Sequence, residues 1–418
     1  MTIAAGSDTI QELSVEELRA KVGTGMEISD PEENMLLSMG PQHPSTHGVL
    51  RLLLELDGET IVNMAPDIGF LHTGIEKTIE SKKYLQGLVL TDRMDYLSPM
   101  SNNLGYILAI EKLFGVEATP RAQAIRVILS ELARVASHLV WLGTHAIDLA
   151  AMSVFLYCFR EREYILDLFE MVSGQRMMGS YFRPGGLWRD VPEDFEPAVR
   201  QFLDFFPTRI ADYEALLKKN PIWLNRTKGI GVITGKDAVD WGMTGPSLRG
   251  SGVGLDMRKS QPYSGYEQYD FDVPMGTDGD VYSRYRCRME EFTQSLRIIE
   301  QALDKLPDGP VNIDDRKIVP PPRAELGQSM EAVIHHFKLW TEGLKPPVGF
   351  VSQVVESPRG LLICYLRSDG TAKPARAHFR TPSYVNLASL PQLSKGLFVA
   401  DAVAIIGSID IVLGEIDR

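Results

Sequence analysis

Apolar residues gather in two short β-rich runs near the start of the chain, Val49 to Leu56 and Glu59 to Met64, and the Asp57-Gly58 pair between them predicts a hairpin. The apolar period then becomes that of helices, roughly over Gly74 to Lys83, Ser98 to Phe114, Pro120 to Met152, Val154 to Val172 and Pro192 to Lys219. Thr119-Pro120 is a helix start, an N-cap residue followed by proline at the first helical position. The helix that follows is apolar on nearly all sides, which marks it as the centre of a bundle. Arg134, His138, Trp141, His145 and Asp148 recur along it at steps of three or four and share one face. Between Gly229 and Asp280 eleven glycines and the aromatic run Tyr263 to Phe271 predict a long irregular stretch. Ser283 to Leu306 and Ser329 to Thr341 return to helix, separated by a proline-rich linker, and Phe350 to Arg380 reads as short strands with turns at Ser357-Pro-Arg-Gly360 and Ser368-Asp-Gly370. The tail from Lys395 is small and apolar and ends in Asp410, Glu415, Asp417 and Arg418. The pattern is that of an α+β chain: a central bundle of long helices with small β elements near each end.

One segment departs from any core pattern. Gly40-Pro-Gln-His-Pro-Ser-Thr-His-Gly48 places two histidines among two prolines and two glycines just before the first predicted strand. Proline fixes φ and glycine opens angles closed to other residues, so the segment predicts a stiff loop that holds an imidazole in place. Imidazole is the side chain whose charge changes most readily near neutral pH.

Composition narrows the possibilities. Apolar residues at 44% and charged residues at 23% of 418 are ordinary for a globular protein, and a net charge of −12 without clustered Lys and Arg argues against a nucleic-acid partner. Cys158, Cys287 and Cys364 are too scattered for a disulfide framework, which favours a reducing, cytoplasmic setting. Residues 1–34 are polar and acidic with no secretory pattern, and Ser14 with Glu17 predicts one capped helix there. The most lipid-like stretch, Val135 to Phe159, carries Asp148 in its middle beside two histidines, so no membrane span is expected.

The motifs of several chemistries are missing from the sequence. There is no Cys-x-x-Cys, His-Glu-x-x-His, acidic calcium loop, Walker loop or Gly-x-Ser-x-Gly elbow, and three dispersed cysteines cannot supply the four thiolates of an iron-sulfur cluster. What remains points to proton handling: His47 on its loop, Arg93, Asp95 and Tyr96 in the segment Thr91 to Pro99, and Asp148 on the central helix. A carboxylate on a helix face is more often satisfied by an ion pair, so Asp148 alone decides nothing.

Several longer stretches carry a family resemblance. They are Gly40 to Gly48, Leu71-His-Thr-Gly-Ile-Glu-Lys77, Arg93-Met-Asp-Tyr96, Ser173-Gly-Gln-Arg176, Arg183-Pro-Gly-Gly186, Tyr263-Ser-Gly-Tyr266, Ser329 to Phe337, Ser357-Pro-Arg-Gly360 and Asp417-Arg418. On these the chain, from about residue 35 to its end, resembles the quinone-site subunit of proton-pumping NADH-quinone oxidoreductase, respiratory complex I. That subunit is in turn similar to the nickel-iron hydrogenase large subunit. The hydrogenase pattern Arg-x-Cys-Gly-x-Cys falls on Arg93 to Ser98, and Asp-Pro-Cys-x-x-Cys falls on Asp410 to Glu415, with Ile411 in place of proline and no sulfur in either. Soft metals take thiolate ligands, so the resemblance implies a metal-free pocket of the same ancestry.

It further implies that residues 35–418 form one hydrogenase-like domain: a β-hairpin region (35–66), a helical core (67–345) containing the glycine-rich loop (229–280), a β region (346–382) and a C-terminal segment (383–418). The pocket would receive a quinone headgroup, with His47 and Tyr96 as hydrogen-bond donors, Asp148 paired with His47, and Arg93 and Asp95 lining the site. Electrons that began on NADH would arrive from an iron-sulfur partner subunit, while FMN and further clusters lie elsewhere in the complex and no cofactor is held by this chain. Proton translocation would occur in membrane subunits, with this chain peripheral on the cytoplasmic face of the bacterial inner membrane. Where many relatives have a histidine after Ser-Gly-Gln-Arg, this chain has Met177-Met178, implying a cluster potential less dependent on pH. A relative fed by another donor, such as ferredoxin, and a non-catalytic scaffold are the competing readings.

Overall fold

The structure, a computed structural model, describes residues 34–418, so the capped helix expected near Ser14 lies outside the described residues. It opens with a three-stranded antiparallel sheet, β1 (Met35–Met39), β2 (Arg51–Asp57) and β3 (Thr60–Asp67). Asp57 pairs with Thr60 across the Gly58-Glu59 turn, where Gly58 has φ +60°, as the hairpin reading requires. β1 was not legible as a strand. Its five residues are recruited by pairing with β2, Met35 opposite Leu56 and Met39 opposite Leu52.

Two short helices follow, α1 (Ile75–Ser81) and α2 (Tyr84–Thr91), the second too short to show a period. Then come α3 (Pro99–Phe114) and the central α4 (Pro120–Asp148), whose Thr119 hydroxyl caps the Ala122 N–H at 3.4 Å. The predicted helix to Met152 stops at Asp148, because Ala150 takes φ +67° and the chain restarts as α5 (Met152–Ser173). A two-stranded ribbon, β4 (Phe182–Arg183) with β5 (Gly186–Leu187), precedes α6 (Phe195–Leu217). A short helix, α7 (Pro221–Thr227), follows, and three more, α8 (Gly235–Asp240), α9 (Gly245–Arg249) and α10 (Met257–Ser260), punctuate the glycine-rich stretch expected to be irregular. α11 (Val281–Asp304) is capped by Asp280, whose carboxylate accepts from the Ser283 N–H at 2.7 Å.

After α12 (Met330–Thr341) a second antiparallel sheet forms from β6 (Gly349–Ser357), β7 (Gly360–Ser368) and β8 (Arg376–Arg380). The chain ends in α13 (Pro382–Ala388), α14 (Leu390–Ser394), α15 (Val399–Ile409) and α16 (Leu413–Asp417). One hydrophobic cluster joins the long helices to the second sheet, and another joins the first sheet to α15 and α16. Among the described residues no helix is long and apolar enough to cross a membrane.

The polar face of α4 serves mainly to hold its neighbours. Trp141 donates to the Gly407 carbonyl at 2.8 Å, and His138 Nε2 meets Glu291 of α11 at 2.7 Å. The Arg134 guanidinium donates to the Glu356 and Ser357 carbonyls at 2.7 and 3.0 Å, fixing the end of β6 against the bundle. Beyond that end the hairpin turns through Pro358-Arg359, and its tip is driven inward rather than outward. Gly245 and Gly360 permit the approach: a Cβ at Gly245 would lie 2.4 Å from the Arg359 carbonyl oxygen, and one at Gly360 2.8 Å from the Gly245 nitrogen. Both also have positive φ, +66° and +134°.

Candidate active site

Arg359, delivered by that hairpin, is fully buried and is the hub of the site. Its Nη1 lies 2.6 Å from Asp95 Oδ2 and its Nη2 lies 3.5 Å from Asp410 Oδ1, while Asp410 is also 3.9 Å from Arg288 of α11. The remaining Asp95 oxygen, Oδ1, caps the turn before α3, accepting from the Leu97 N–H at 3.1 Å and the Ser98 N–H at 3.3 Å. Burial is the largest influence on Asp95 and raises its pKa, with Arg359 opposing. Glu415, whose charge also acts on the guanidinium, is fully buried as well. The two sequence segments aligned with hydrogenase metal motifs therefore come together here, with carboxylates and an arginine between them. Among the described residues no group of three or more His, Cys, Asp or Glu is arranged to hold a metal ion.

Tyr96 is half-buried and faces the same hub. Burial raises its phenol pKa, Arg359 lowers it, and Asp95 and Glu415 raise it again, so the hydroxyl keeps its proton at neutral pH. Its ring rests on Gly414, where a Cβ would come 3.3 Å from Tyr96 Cε1 and 2.5 Å from the Met94 carbonyl oxygen. The hydroxyl itself makes no hydrogen bond to the described residues, which leaves it available to a ligand.

His47 approaches from the stiff loop, which folds as a single 3-10 turn, Pro44–Thr46. The His43 ring accepts the Ser45 N–H at 3.2 Å, and the Thr46 hydroxyl is held to the His43 and Pro41 carbonyls at 3.0 and 3.2 Å. His47 then takes φ +53° at the end of the turn, a left-handed angle that costs a non-glycine residue of order 1–3 kcal/mol and is commonly found at functional sites. The residue is exposed to solvent, although protein atoms crowd around the ring. Burial lowers its pKa, Asp410 raises it and Arg359 lowers it, so the imidazole is neutral near pH 7.

The expected pairing of Asp148 with His47 is not what the structure builds. The charge acting on Asp148 is that of His43, whereas the carboxylate facing His47 is Asp410. The sequence suggested the wrong histidine because both lie on one short loop and nothing in their spacing tells which one meets α4. Burial pushes the Asp148 carboxyl up to about 6, against the lowering effect of His43. Because the folded-state pKa is above the unfolded one, protons bind the native state more tightly. The resulting cost to stability is absent below about pH 4 and grows as pH rises through about 6. Asp148→Asn is accordingly expected to raise the melting temperature of the assembled enzyme at pH 7 while leaving it unchanged near pH 4. A neutral-pH melting temperature below that of the unsubstituted enzyme would contradict this.

Arg93 also differs from expectation. Its side chain is exposed and donates to the Val89 carbonyl at 2.7 Å, so only the Asp95 and Tyr96 side chains of that segment reach the hub. Met178, two residues after Arg176, is half-buried with φ +56°. The residue missed from sequence was Arg359. It lay in the Ser-Pro-Arg-Gly stretch, which entered as a turn and as one of the family motifs, and turns are ordinarily read as surface features.

The C-terminus closes one side of the site. The Asp417 carboxylate accepts the Gly69 and Leu71 N–H groups at 2.9 and 2.7 Å, and Arg418 Nε donates to Glu76 Oε1 at 3.0 Å. These contacts tie α16, which carries Glu415, to the loop before α1 and to α1 itself.

The chain is similar to known proteins over most of its length. The family model described as the 49 kDa subunit of respiratory-chain NADH dehydrogenase matches residues 148–418. An NADH-quinone oxidoreductase D-type subunit of Chloroflexus aurantiacus is 60% identical over 405 residues, 95% of this chain and 98% of that protein. The corresponding protein of Roseiflexus castenholzii is 63% identical over 390 residues, 93% of this chain and 94% of that protein, and that of Geotalea uraniireducens is 57% identical over 386 residues, 92% of this chain and 99% of that protein. With a buried arginine gathering the two motif segments, and with identities of this size across nearly the whole chain, the protein belongs to the 49 kDa subunit family of respiratory NADH-quinone oxidoreductase.

Proposed function

We propose that this chain forms the quinone headgroup site of an NADH-quinone oxidoreductase, working as one subunit of the assembled complex. Membership of the family supports a role in quinone reduction. What supports the site assignment is that the charge of one buried arginine, Arg359, acts on both Tyr96 and His47, which come from separate loops. Reducing a quinone to a quinol takes two electrons and two protons. The phenol supplies a neutral O–H whose proton transfers once the quinone oxygen becomes strongly basic, and the neutral imidazole offers an N–H to the other oxygen and relays a proton from solvent. Arg359, held by Asp95 and Asp410, keeps a positive field beside the oxygen on which negative charge develops.

The electrons, in this reading, come from a cluster in an iron-sulfur partner subunit, since no motif of this chain supplies cluster ligands. FMN and the other clusters sit elsewhere, and the chain is peripheral, on the cytoplasmic face of the inner membrane. Proton translocation follows in membrane subunits. His47→Ala tests the site. Quinone reduction by the assembled enzyme is expected to fall about tenfold or more, short of the roughly hundredfold typical of a general acid because solvent can deliver this proton in place of the imidazole. NADH oxidation by an artificial acceptor should persist, and equal loss of both activities would point instead to an assembly role.

A further inference from the structure

The hub holds one carboxyl that hydrogen-bond donation to quinone does not use. Glu415 follows Gly414, the residue on which the Tyr96 ring rests, and sits in the short helix α16. Its Oε1 accepts the Ser383 N–H at 3.1 Å and the Ser383 hydroxyl, which in turn accepts the Val412 N–H at 3.2 Å. Its Oε2 is buried and meets no donor, and no cation lies within ion-pair distance of it among the described residues. Asp410 Oδ2 and the Nε and Nη2 atoms of Arg359 are likewise without hydrogen-bond partners. Unfilled polar atoms on three residues of one buried charge cluster mark a place suited to holding a proton and water to carry it.

The charges around Glu415 come from every element packed on it. Asp95 stands before α3, Arg359 at the β6–β7 tip, Arg380 at the end of β8 and Tyr96 beside Gly414. Arg380 directs its donors to the Gly242 and Leu361 carbonyls and the Thr244 hydroxyl, and Arg359 is committed to Asp95 and Asp410. Glu415 is thus the one acid of the three with no guanidinium of its own, and a buried carboxyl without a paired cation keeps its proton. Burial, followed by repulsion from Asp95, raises its pKa to about 7, with Arg359 and Ser383 opposing.

We propose that Glu415 is the internal proton store that refills Tyr96 after each quinone is reduced, a role that rests on Tyr96 being the donor to the quinone. The balance is simple. Quinone gains two electrons from the partner's cluster, one proton from the Tyr96 hydroxyl and one from solvent by way of His47, and leaves as quinol. The Glu415 carboxylic acid then passes its proton to the Tyr96 phenolate, giving phenol and carboxylate, and the carboxylate regains a proton from water admitted as the quinol departs. The transfer runs downhill, because a phenol binds a proton more tightly than a carboxyl group even when the carboxyl is buried.

The experiment uses the assembled enzyme, with turnover followed from pH 5.5 to 9 for Glu415→Gln, Glu415→Asp and Tyr96→Phe. Glutamine fills the space but carries no transferable proton, so kcat for quinone is expected to fall about tenfold with KM unchanged, less than the roughly hundredfold or more of a group that protonates the substrate itself, because water can refill Tyr96 more slowly. In the unsubstituted enzyme the store is full below its pKa and empties as pH rises, giving an alkaline limb that starts near neutrality. Glu415→Gln should lack that limb, whereas Glu415→Asp should restore both the limb and most of the rate. A Glu415→Gln enzyme with full kcat and an unmoved limb overturns the proposal. If Tyr96→Phe is slow in that case, only the store is lost; if Tyr96→Phe is itself fast, the site assignment falls. Should Glu415→Gln fail to assemble, Ser383→Ala decides. It removes one hydroxyl donor and is expected to move the limb to higher pH, and a limb that stays in place overturns the store.

Discussion

Replacing Tyr96 with phenylalanine is expected to lower quinone reduction by the assembled enzyme about a hundredfold, at the scale for removing a positioned general acid. The substitution is nearly free of structural cost. The ring keeps its place on Gly414, and the hydroxyl that is lost makes no hydrogen bond to the described residues. A fall in kcat with artificial-acceptor activity preserved therefore reads on chemistry rather than on folding. The phenol is suited to this task because burial and the two neighbouring carboxyls keep it protonated, with Arg359 opposing. It gives up its proton only when reduction makes the bound oxygen a stronger base. A Tyr96→Phe enzyme that reduces quinone at the unsubstituted rate would remove Tyr96 from the mechanism.

The second large effect lies in the arginine. Arg359→Met is expected to destabilise the protein by roughly 3–5 kcal/mol, the usual cost of removing one partner from a buried ion pair. Asp95 and Asp410 would each lose their closest cation while remaining in the interior. Since whole domains are stable by only about 5–15 kcal/mol, much of the chain should fail to enter the complex. The enzyme that does assemble should melt about 5 °C lower, given the unfolding entropy of a chain of 418 residues. Adding Asp95→Asn to Arg359→Met removes one of the stranded charges and should recover part of the loss. A melting temperature unaffected by Arg359→Met would show that the hub bears no load, and no recovery in the double variant would place the load on Asp410.

Local patterning carried much of the architecture. Thr119-Pro120 marked the start of the central helix, Asp57-Gly58 marked the hairpin, and the all-round apolar character of α4 marked it as the buried one. Each of these depends on a few adjacent residues and the preferences of their own backbones. The strands of the second sheet were legible for the same reason. β1 and α2 were not, because the first is defined by the strand it pairs with and the second is too short to display a helical period. The site was half legible. His47, Asp95 and Tyr96 carried signals in rigid loops and family motifs. Yet the charge acting on Asp148 is that of His43, the other histidine of the stiff loop, and Arg93 turns to the surface.

What the amino-acid order determined alone was a stiff imidazole-bearing loop, a buried helix with one polar face, and two motif segments stripped of sulfur. It could not place Arg359, since Ser-Pro-Arg-Gly specifies a tight turn and says nothing about which way the turn points. Tertiary packing settled that: Arg134 of α4 fastens the end of β6, Gly245 and Gly360 let two backbones meet where any side chain would collide, and the turn is forced inward. A charge enters the interior only where opposite charges wait for it, and the three carboxyls around this arginine come from two segments hundreds of residues apart, so only the folded chain could bring them together.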